Sequence, residues 1–487
     1  MASTVTLPLW LVVLAALLSA WAVLDRLLMP SVRWFLRTRA NRVLDEVGQR
    51  LKIQIRPFQQ SNRRTLVERL VYDDKVQHAA GVYASEHGVP RAVVAHTVER
   101  YAREIVPAFN AYFYFRLGYW LGKTLSRSLY RVRIGFTDDA GLAAVPENAT
   151  VVFVMNHRSN MDYIIASYLA AEKAALSYAV GEWARLWGLQ QLIRSMGAYF
   201  VRRNSRDDLY RRVLERYIAM ATEAGVTQAV YPEGGLSRDG RMREPKFGVL
   251  DYMLRGFALD GERDLVFVPL GLNYDRTLED RTLLLADDAN AHRPGRTGAA
   301  WNTLRFVGHQ VALMLRSRWH RFGYACVNFG TPVSMREYAT ARSLDFRHMP
   351  KEQRTRAVAE LGHHLMDEVG RLIPVLPVPL VATVLLRAAN DLSEAEIRAA
   401  VATLVRTLEE SGARIYVPRS DWDYAVIAGL RMLVMRHLVF ERDARFVANH
   451  IEQRLLRYYA NSIRHLLPQN RYVHFSSWCW RLPGRFS

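Results

Sequence analysis

The chain has 487 residues, more than one ordinary hydrophobic core accommodates, so two or three folded units are expected. Half of the residues are apolar and 11% are aromatic, which excludes a disordered protein, while two cysteines, Cys326 and Cys479, exclude a disulfide framework or a cysteine zinc cluster and fit a reducing compartment. A formal charge of +19 calls for an anionic partner, which the charge alone leaves open between nucleic acid, acidic lipid and a phosphorylated substrate.

Residues 1–24 carry no charged side chain, and Leu7 to Leu24 read LPLWLVVLAALLSAWAVL. As a helix these 18 residues span about 27 Å, close to the thickness of a bilayer's hydrocarbon layer. Leu27, Leu28 and Met29 extend the apolar run past Asp25 and Arg26. Arg33, Arg37, Arg39 and Arg42 follow with no acidic residue among them, which places the chain beyond them on the cytoplasmic side. Residues 1–29 are thus expected to be a membrane anchor, with a helix lying in the surface as the alternative. The missing Lys or Arg ahead of the apolar run argues against a cleaved signal peptide.

Residues 30–130 read as a helical domain with charged outer faces and no evident chemistry; RTLVERLVYDDKVQHAAGVYASEHG is an example. Between 131 and 374 the rhythm changes. Short apolar runs such as TVVFVMNH, TQAVYPEGG, LVFVPLGLNY and YACVNFG alternate with amphipathic stretches such as MDYIIASYLAAEK and DLYRRVLERYIAMATEAG. That alternation predicts an α/β fold with a mostly parallel sheet flanked by helices, reacting groups gathering at the carboxyl ends of its strands. Residues 279–298 read as a polar loop. Pro374, Pro377 and Pro379 mark a boundary, and 375–487 read as a C-terminal helical unit in which Ser393 and Glu396 form a capping box.

Four blocks within the α/β region carry candidate chemistry. In NHRSNMDY, His157 has Asp162 five positions on, a spacing found at no other histidine of the chain. On one continuous helix the two would lie about 140° apart. They meet if His157 sits in the loop after a strand and Asp162 in the first turn of the next helix, with Ser159 or Asn160 as cap. A neutral imidazole oriented by a carboxylate is a general base for a hydroxyl nucleophile. In GAYFVRR, Arg202 and Arg203 adjoin a short strand and offer guanidinium forks to a phosphate or, more blandly, a solvated basic edge. In YPEGGLSRDGR, Gly234 and Gly235 allow close backbone approach, Glu233 can accept from a hydroxyl, Arg238 can pair a phosphate, and Lys246 opens the next helix. In VFVPLGLNY, Val268 and Pro269 end a buried strand that reads as core, or as an acyl-chain wall by the company it keeps.

In this order and spacing the four blocks resemble those of the glycerolipid acyltransferase superfamily, and most of all the bacterial membrane glycerol-3-phosphate and dihydroxyacetone-phosphate acyltransferases. HRSNMDY, GAYFVRR, EGGLSRDGR, YACVNFG and RYYANSIRHLL carry the resemblance, from roughly residue 60 to residue 470. It implies transfer of a fatty acyl group from acyl-CoA or acyl-carrier protein to the sn-1 hydroxyl of glycerol 3-phosphate, on an anionic phospholipid membrane and without metal or other cofactor. His157 would be the base and Asp162 its orienting partner. Arg202, Arg203, Glu233, Gly234, Ser237, Arg238 and Lys246 would hold the acceptor, and Pro269 would belong to the acyl side. One departure stands out: the family usually has Arg where this chain has Leu236. That leaves open an acceptor such as lysophosphatidate or dihydroxyacetone phosphate, or an acyltransferase fold that has lost activity, against which the retained His157 and Asp162 argue. A nucleic-acid-binding module would account for the charge but not for the apolar N-terminus, and no zinc-finger or RNA-recognition signature is present.

Overall fold

The computed structural model describes residues 57–111, 113–170, 176–180, 189–202, 205, 207–287 and 322–468. After a helical turn at Pro57–Gln60, helices α1 (Arg63–Val71), α2 (Asp74–His87) and α3 (Arg91–Ile105) pack as a layer. Their starts follow from their caps: the Asn62 side chain accepts from the Arg64 amide, Asp73 accepts from Lys75, and Pro90 precedes α3. A π-type turn at Phe113–Gly118 leads into α4 (Tyr119–Leu129).

The α/β region follows as β1 (Arg131–Thr137), α5 (Asp139–Ala144), β2 (Thr150–Met155), α6 (Met161–Ala170), β3 (Ser177–Val180), α7 (Leu189–Ser195), β4 (Ala198–Phe200), α8 (Asp208–Glu223), β5 (Gln228–Val230), α9 (Gly248–Leu254) and β6 (Leu265–Tyr274). Then come α10 (Asp280–Asp287), β7 (Tyr324–Phe329), β8 (Val333–Ser334), α11 (Met335–Ala341) and α12 (Lys351–Leu372). The strands form one sheet in the order β1-β7-β6-β2-β5-β3-β4, with β8 beside β6. From β6 to β4 the neighbours are parallel, while β7 and β8 run antiparallel to β6 and β1 runs parallel to β7. The mostly parallel α/β sheet expected from the alternation is present, with an antiparallel edge.

Strand β6 is buried along its whole length, as a central strand covered on both faces must be. The period of two divides its side chains between two cores: Leu265 and Phe267 join the layer of α1–α3, α8 and α12, whereas Val266, Val268 and Leu270 join that of α4 and α6. Burying a side chain such as Phe267 contributes roughly 1.5–3 kcal/mol.

Beyond Pro374 lie α13 (Pro377–Arg387), β9 (Leu392–Ser393), α14 (Glu394–Glu410), α15 (Trp422–Met435), β10 (Val439–Arg442), β11 (Arg445–Ala448) and α16 (Gln453–Asn461). The α14 start is the expected capping box of Ser393 and Glu396. This region is not purely helical, since β10, β11 and β9 make a small antiparallel sheet. Strands of two and four residues are too short for a period to register in sequence. The expected loop at 279–298 is also partly helical: α10 occupies its first turns because Leu283 buries against the core of α13–α16. Among the described residues no helix is long and apolar enough to cross a membrane, and the expected anchor, residues 7–28, lies outside the described residues.

Candidate active site

Strands β2 and β5 are parallel neighbours, so the loops after them leave the same edge of the sheet side by side. The first carries Asn156 and His157, the second Tyr231 to Lys246. Asn156 extends β2 with its side chain: its amide donates to the Leu272 carbonyl at 2.9 Å and its oxygen accepts from the Leu272 amide at 2.8 Å. That pairing fixes the direction in which the chain leaves the strand, and His157 comes next.

His157 and Asp162 meet as their spacing predicts. Asp162 lies in the first turn of α6, and its Oδ2 sits 2.9 Å from His157 Nδ1. The same oxygen accepts from the amides of Arg158 at 2.7 Å and Ser159 at 3.0 Å, and Oδ1 accepts from the Tyr274 hydroxyl at 2.5 Å. Ser159 is the expected cap, its Oγ accepting from the Met161 amide at 3.1 Å. A carboxylate surrounded by donors is an acceptor, so Nδ1 carries the proton and Nε2 the lone pair. The imidazole is buried, tilted over the Tyr231 ring at 4.3 Å and edge-on to Tyr163 at 5.2 Å. The Tyr163 hydroxyl stands 3.3 Å from Nε2 and 3.3 Å from the Ala179 carbonyl oxygen.

The third block straps this loop in place. Both oxygens of Glu233 hold backbone amides, His157 at 3.0 Å and Arg243 at 2.9 Å, and the Ser237 amide donates to the His157 carbonyl at 3.0 Å. Burial pushes the Glu233 carboxyl above its ordinary range, partly offset by Arg158 and the two amides. Ser237 is buried and its hydroxyl donates to the Arg241 carbonyl at 2.6 Å. Gly234 has φ +64°, the left-handed region that glycine adopts without strain, and a Cβ there would stand 3.3 Å from Lys246 Cδ. Gly234, Arg238 and Lys246 are exposed at the mouth of this loop, and Lys246 precedes α9, which opens at Gly248. Leu236, at the unusual position, is half-buried and packs against the core of α13–α16.

Of the remaining two blocks, the one on β6 lies directly beside β2 and the one after β4 lies farther off. Arg202 follows β4, three strands from β2 and therefore about 14 Å across the sheet. Its guanidinium grips Glu104 at the end of α3 bidentately, at 2.9 and 2.6 Å, between the rings of Tyr101 and Tyr210, each 4.9 Å away. The hydrogen bonds to Glu104 hold its proton more tightly than in an ordinary arginine. Arg203 lies outside the described residues. Pro269 sits inside buried β6, opposite Val154, where the strand passes from β8 to β7.

Three residues at the site were not singled out by spacing. Tyr274 closes β6 and orients Asp162; Tyr163 follows Asp162 directly. Glu279 is half-buried, accepts from Ser159 Oγ at 2.7 Å and from the Asn160 amide at 3.2 Å, and has its carboxyl pushed up by desolvation. The C-terminal region reaches the same loop. The buried Arg158 side chain donates to the Gly240 carbonyl and, at 3.2 Å, to that of Ser462. Gly240, at φ +87°, lies so close to α16 that a Cβ would stand 1.9 Å from the Tyr458 carbonyl oxygen. Asp280, next to Glu279, pairs with Arg436 at 2.6 Å and accepts from the Tyr459 hydroxyl. No group of acidic, histidine or cysteine side chains among the described residues is arranged to hold a metal ion.

Residues 138–273 match the acyltransferase family model, and residues 310–470 match that of the glycerol-3-phosphate acyltransferase C-terminal region. The chain is similar to the glycerol-3-phosphate acyltransferase of Xanthomonas axonopodis pv. citri, at 26% identity over 72% of this chain and 39% of that protein. It is 30% identical to the Pseudomonas fluorescens protein of the same name over 71% of this chain and 41% of that one. With the Ectopseudomonas mendocina protein of that name it shares 27% over 83% of this chain and 49% of the other. The chain thus spans between about two fifths and one half of the length of these curated relatives. A solved 1-acyl-sn-glycerophosphate acyltransferase from Thermotoga maritima aligns at 16% identity over 52% of this chain and 78% of that one, with a TM-score of 0.30. The resemblance read from the four blocks agrees with these matches, an acyltransferase model followed by that of a glycerol-3-phosphate acyltransferase C-terminal region.

Proposed function

We propose that the protein transfers a fatty acyl group from acyl-CoA or acyl-carrier protein to the sn-1 hydroxyl of glycerol 3-phosphate, giving lysophosphatidate, the first step of phospholipid synthesis. The observation that carries this reading is the buried contact of His157 Nδ1 with Asp162 Oδ2 at 2.9 Å, at the carboxyl end of a parallel strand. Nε2 takes the proton of the acceptor hydroxyl as its oxygen attacks the thioester carbonyl. The C–S bond then breaks and the proton passes from Nε2 to the leaving thiolate. Asp162 stabilises the imidazolium in between, and Tyr274 and the amides of Arg158 and Ser159 hold the carboxylate still.

In this reading Arg238 and Lys246, with Gly234 beneath them, meet the acceptor phosphate at the loop mouth, and Arg203 is a further candidate. Glu233 and Ser237 act through the His157 backbone. Pro269 stiffens the strand behind the acyl side. Residues 7–28 anchor the chain in an anionic phospholipid membrane, and the catalytic unit, 131–374, lies on its cytoplasmic side with helical units before and after it. Deleting residues 1–29 and fractionating cells tests the anchor, which fails if the parent chain is already fully soluble.

Leu236 favours a second reading. Its side chain packs against the C-terminal core and brings no charge toward a phosphate, which suits an acceptor held partly by its own acyl chain, such as lysophosphatidate. Dihydroxyacetone phosphate is the other acceptor to compare. Purified protein given labelled palmitoyl-CoA with each acceptor in turn distinguishes the three. Turnover of His157→Ala within threefold of the parent would falsify the base assignment, since losing a general base costs about 10²–10⁴ in rate.

A further inference from the structure

We infer that the Tyr163 hydroxyl is a placeholder for the acceptor hydroxyl, capping His157 Nε2 in the resting protein and turning to the Ala179 carbonyl when substrate arrives. The inference rests on the reading of His157 as the base. With Nδ1 committed to Asp162, Nε2 is the nitrogen left to react, and the polar atom beside it is Tyr163 Oη at 3.3 Å. That oxygen carries one proton and, among the described residues, lies at equal distance from two acceptors, Nε2 and the Ala179 carbonyl oxygen on β3. It cannot donate to both at once. Donation to Nε2 occupies the lone pair the acceptor needs, and donation to Ala179 releases it without leaving the phenol unsatisfied in a buried place.

The ring is held so that only the hydroxyl has to move. It packs against Tyr178 at 5.1 Å and Tyr231 at 4.7 Å, and the residue is 8% exposed. A C–O–H torsion is the cheapest motion a buried tyrosine has. Once the proton has turned to Ala179, the Nε2 lone pair is open to the acceptor hydroxyl and the reaction proceeds with no proton from Tyr163 entering the balance.

The test is Tyr163→Phe, read with whichever acceptor the protein turns over fastest. The variant keeps the ring contacts and leaves Nε2 uncapped, so substrate no longer competes with one ordinary hydrogen bond, about fivefold in an equilibrium. The acceptor KM should fall about three- to tenfold while kcat stays within threefold and the melting temperature is unchanged. An acceptor KM that is unchanged or raised overturns the inference, as does a collapse of kcat at constant KM, which would place the hydroxyl in the proton path. Tyr163→Leu also lacks the hydroxyl and gives the same direction of KM should the Phe variant fail to fold. Failure of the base reading shows separately, as retained turnover in His157→Ala.

Discussion

Replacing Asp162 by Asn changes one charge and almost nothing else, and the structure dictates how the new side chain must sit. Oδ2 faces three N–H donors, from His157 Nδ1 and the amides of Arg158 and Ser159. An NH2 group there would meet all three, so the Asn carbonyl takes that place and the amide turns toward Tyr274, whose hydroxyl accepts instead of donating. The imidazole therefore keeps its tautomer, and what is lost is the negative charge beside the imidazolium. Two unit charges about 4 Å apart at an effective dielectric constant of about 20 attract by about 4 kcal/mol. That is about three decades in rate.

The stability change should be much smaller. Hydrogen bonds to a charged group contribute more than neutral ones, but a carboxylate buried at 0% exposure also loses its hydration, and Asn is relieved of that cost. Asp162→Asn is thus expected to lower kcat about 10³-fold, leave the acceptor KM within a few fold and shift the melting temperature by only a few degrees. Single-turnover transfer from labelled palmitoyl-CoA, run beside thermal denaturation, makes the comparison. Turnover within tenfold of the parent would refute the electrostatic account. A melting temperature that collapses together with activity would show that the carboxylate serves the fold first.

Arg238→Ala should raise the KM for glycerol 3-phosphate about tenfold or more with a smaller effect on the acyl donor, and Leu236→Arg should leave acceptor affinity unchanged or improve it; steady-state kinetics decide, and an untouched acceptor KM in the first variant removes the phosphate from this loop. Gly240→Ala, which combines a positive φ with a backbone collision at Tyr458, should destabilise by about 2–4 kcal/mol in a denaturant titration and depress kcat by loosening the His157 loop. His465, whose Nε2 donates to the Gly370 carbonyl at 3.0 Å, is pushed down to about 4 by burial. Its folded form binds fewer protons than the unfolded one between about 6.5 and 4, so it lowers stability as pH falls through that window, by about 3 kcal/mol at most. Asp275, raised to about 6 by burial, acts in the opposite direction. His465→Gln should therefore gain stability relative to the parent on going from pH 7.5 to 5, as paired urea titrations would show.

The parts of this site that the sequence disclosed are those brought together by one turn of chain. His157 and Asp162 are five residues apart, and a strand end followed by a helix start is enough to join them. Apart from Tyr163, what escaped notice depends on pairs far apart: Tyr274 and Glu279 belong to the loop only because β6 lies beside β2, and a parallel neighbour leaves no periodic trace. Glu233 was visible as a residue but its direction was not, because a carboxylate facing backbone amides and one facing a substrate look alike in sequence. Arg202 shows the same limit. Its fork was legible, whereas its partner Glu104, 98 positions earlier, was not. The short strands β9–β11 and the helical start of α10 failed for another reason, since elements set by packing against distant helices carry little local signal.

The contacts of Arg158 with Ser462 and of Gly240 with Tyr458 also bear on how the protein is made. Arg158 and Ser462 are 304 positions apart, so at ribosomal speeds of about 5–20 residues per second the His157 loop waits at least about fifteen seconds after emerging before its last braces exist. During that interval the sheet can form and the dyad can meet, yet the loop lacks the clamp that Tyr458 and Ser462 supply. A polypeptide that ends before Tyr458 would thus hold His157 in a looser loop. Order of synthesis is in this sense written into the topology: the loop around His157 is fully braced only once residue 462 has been made.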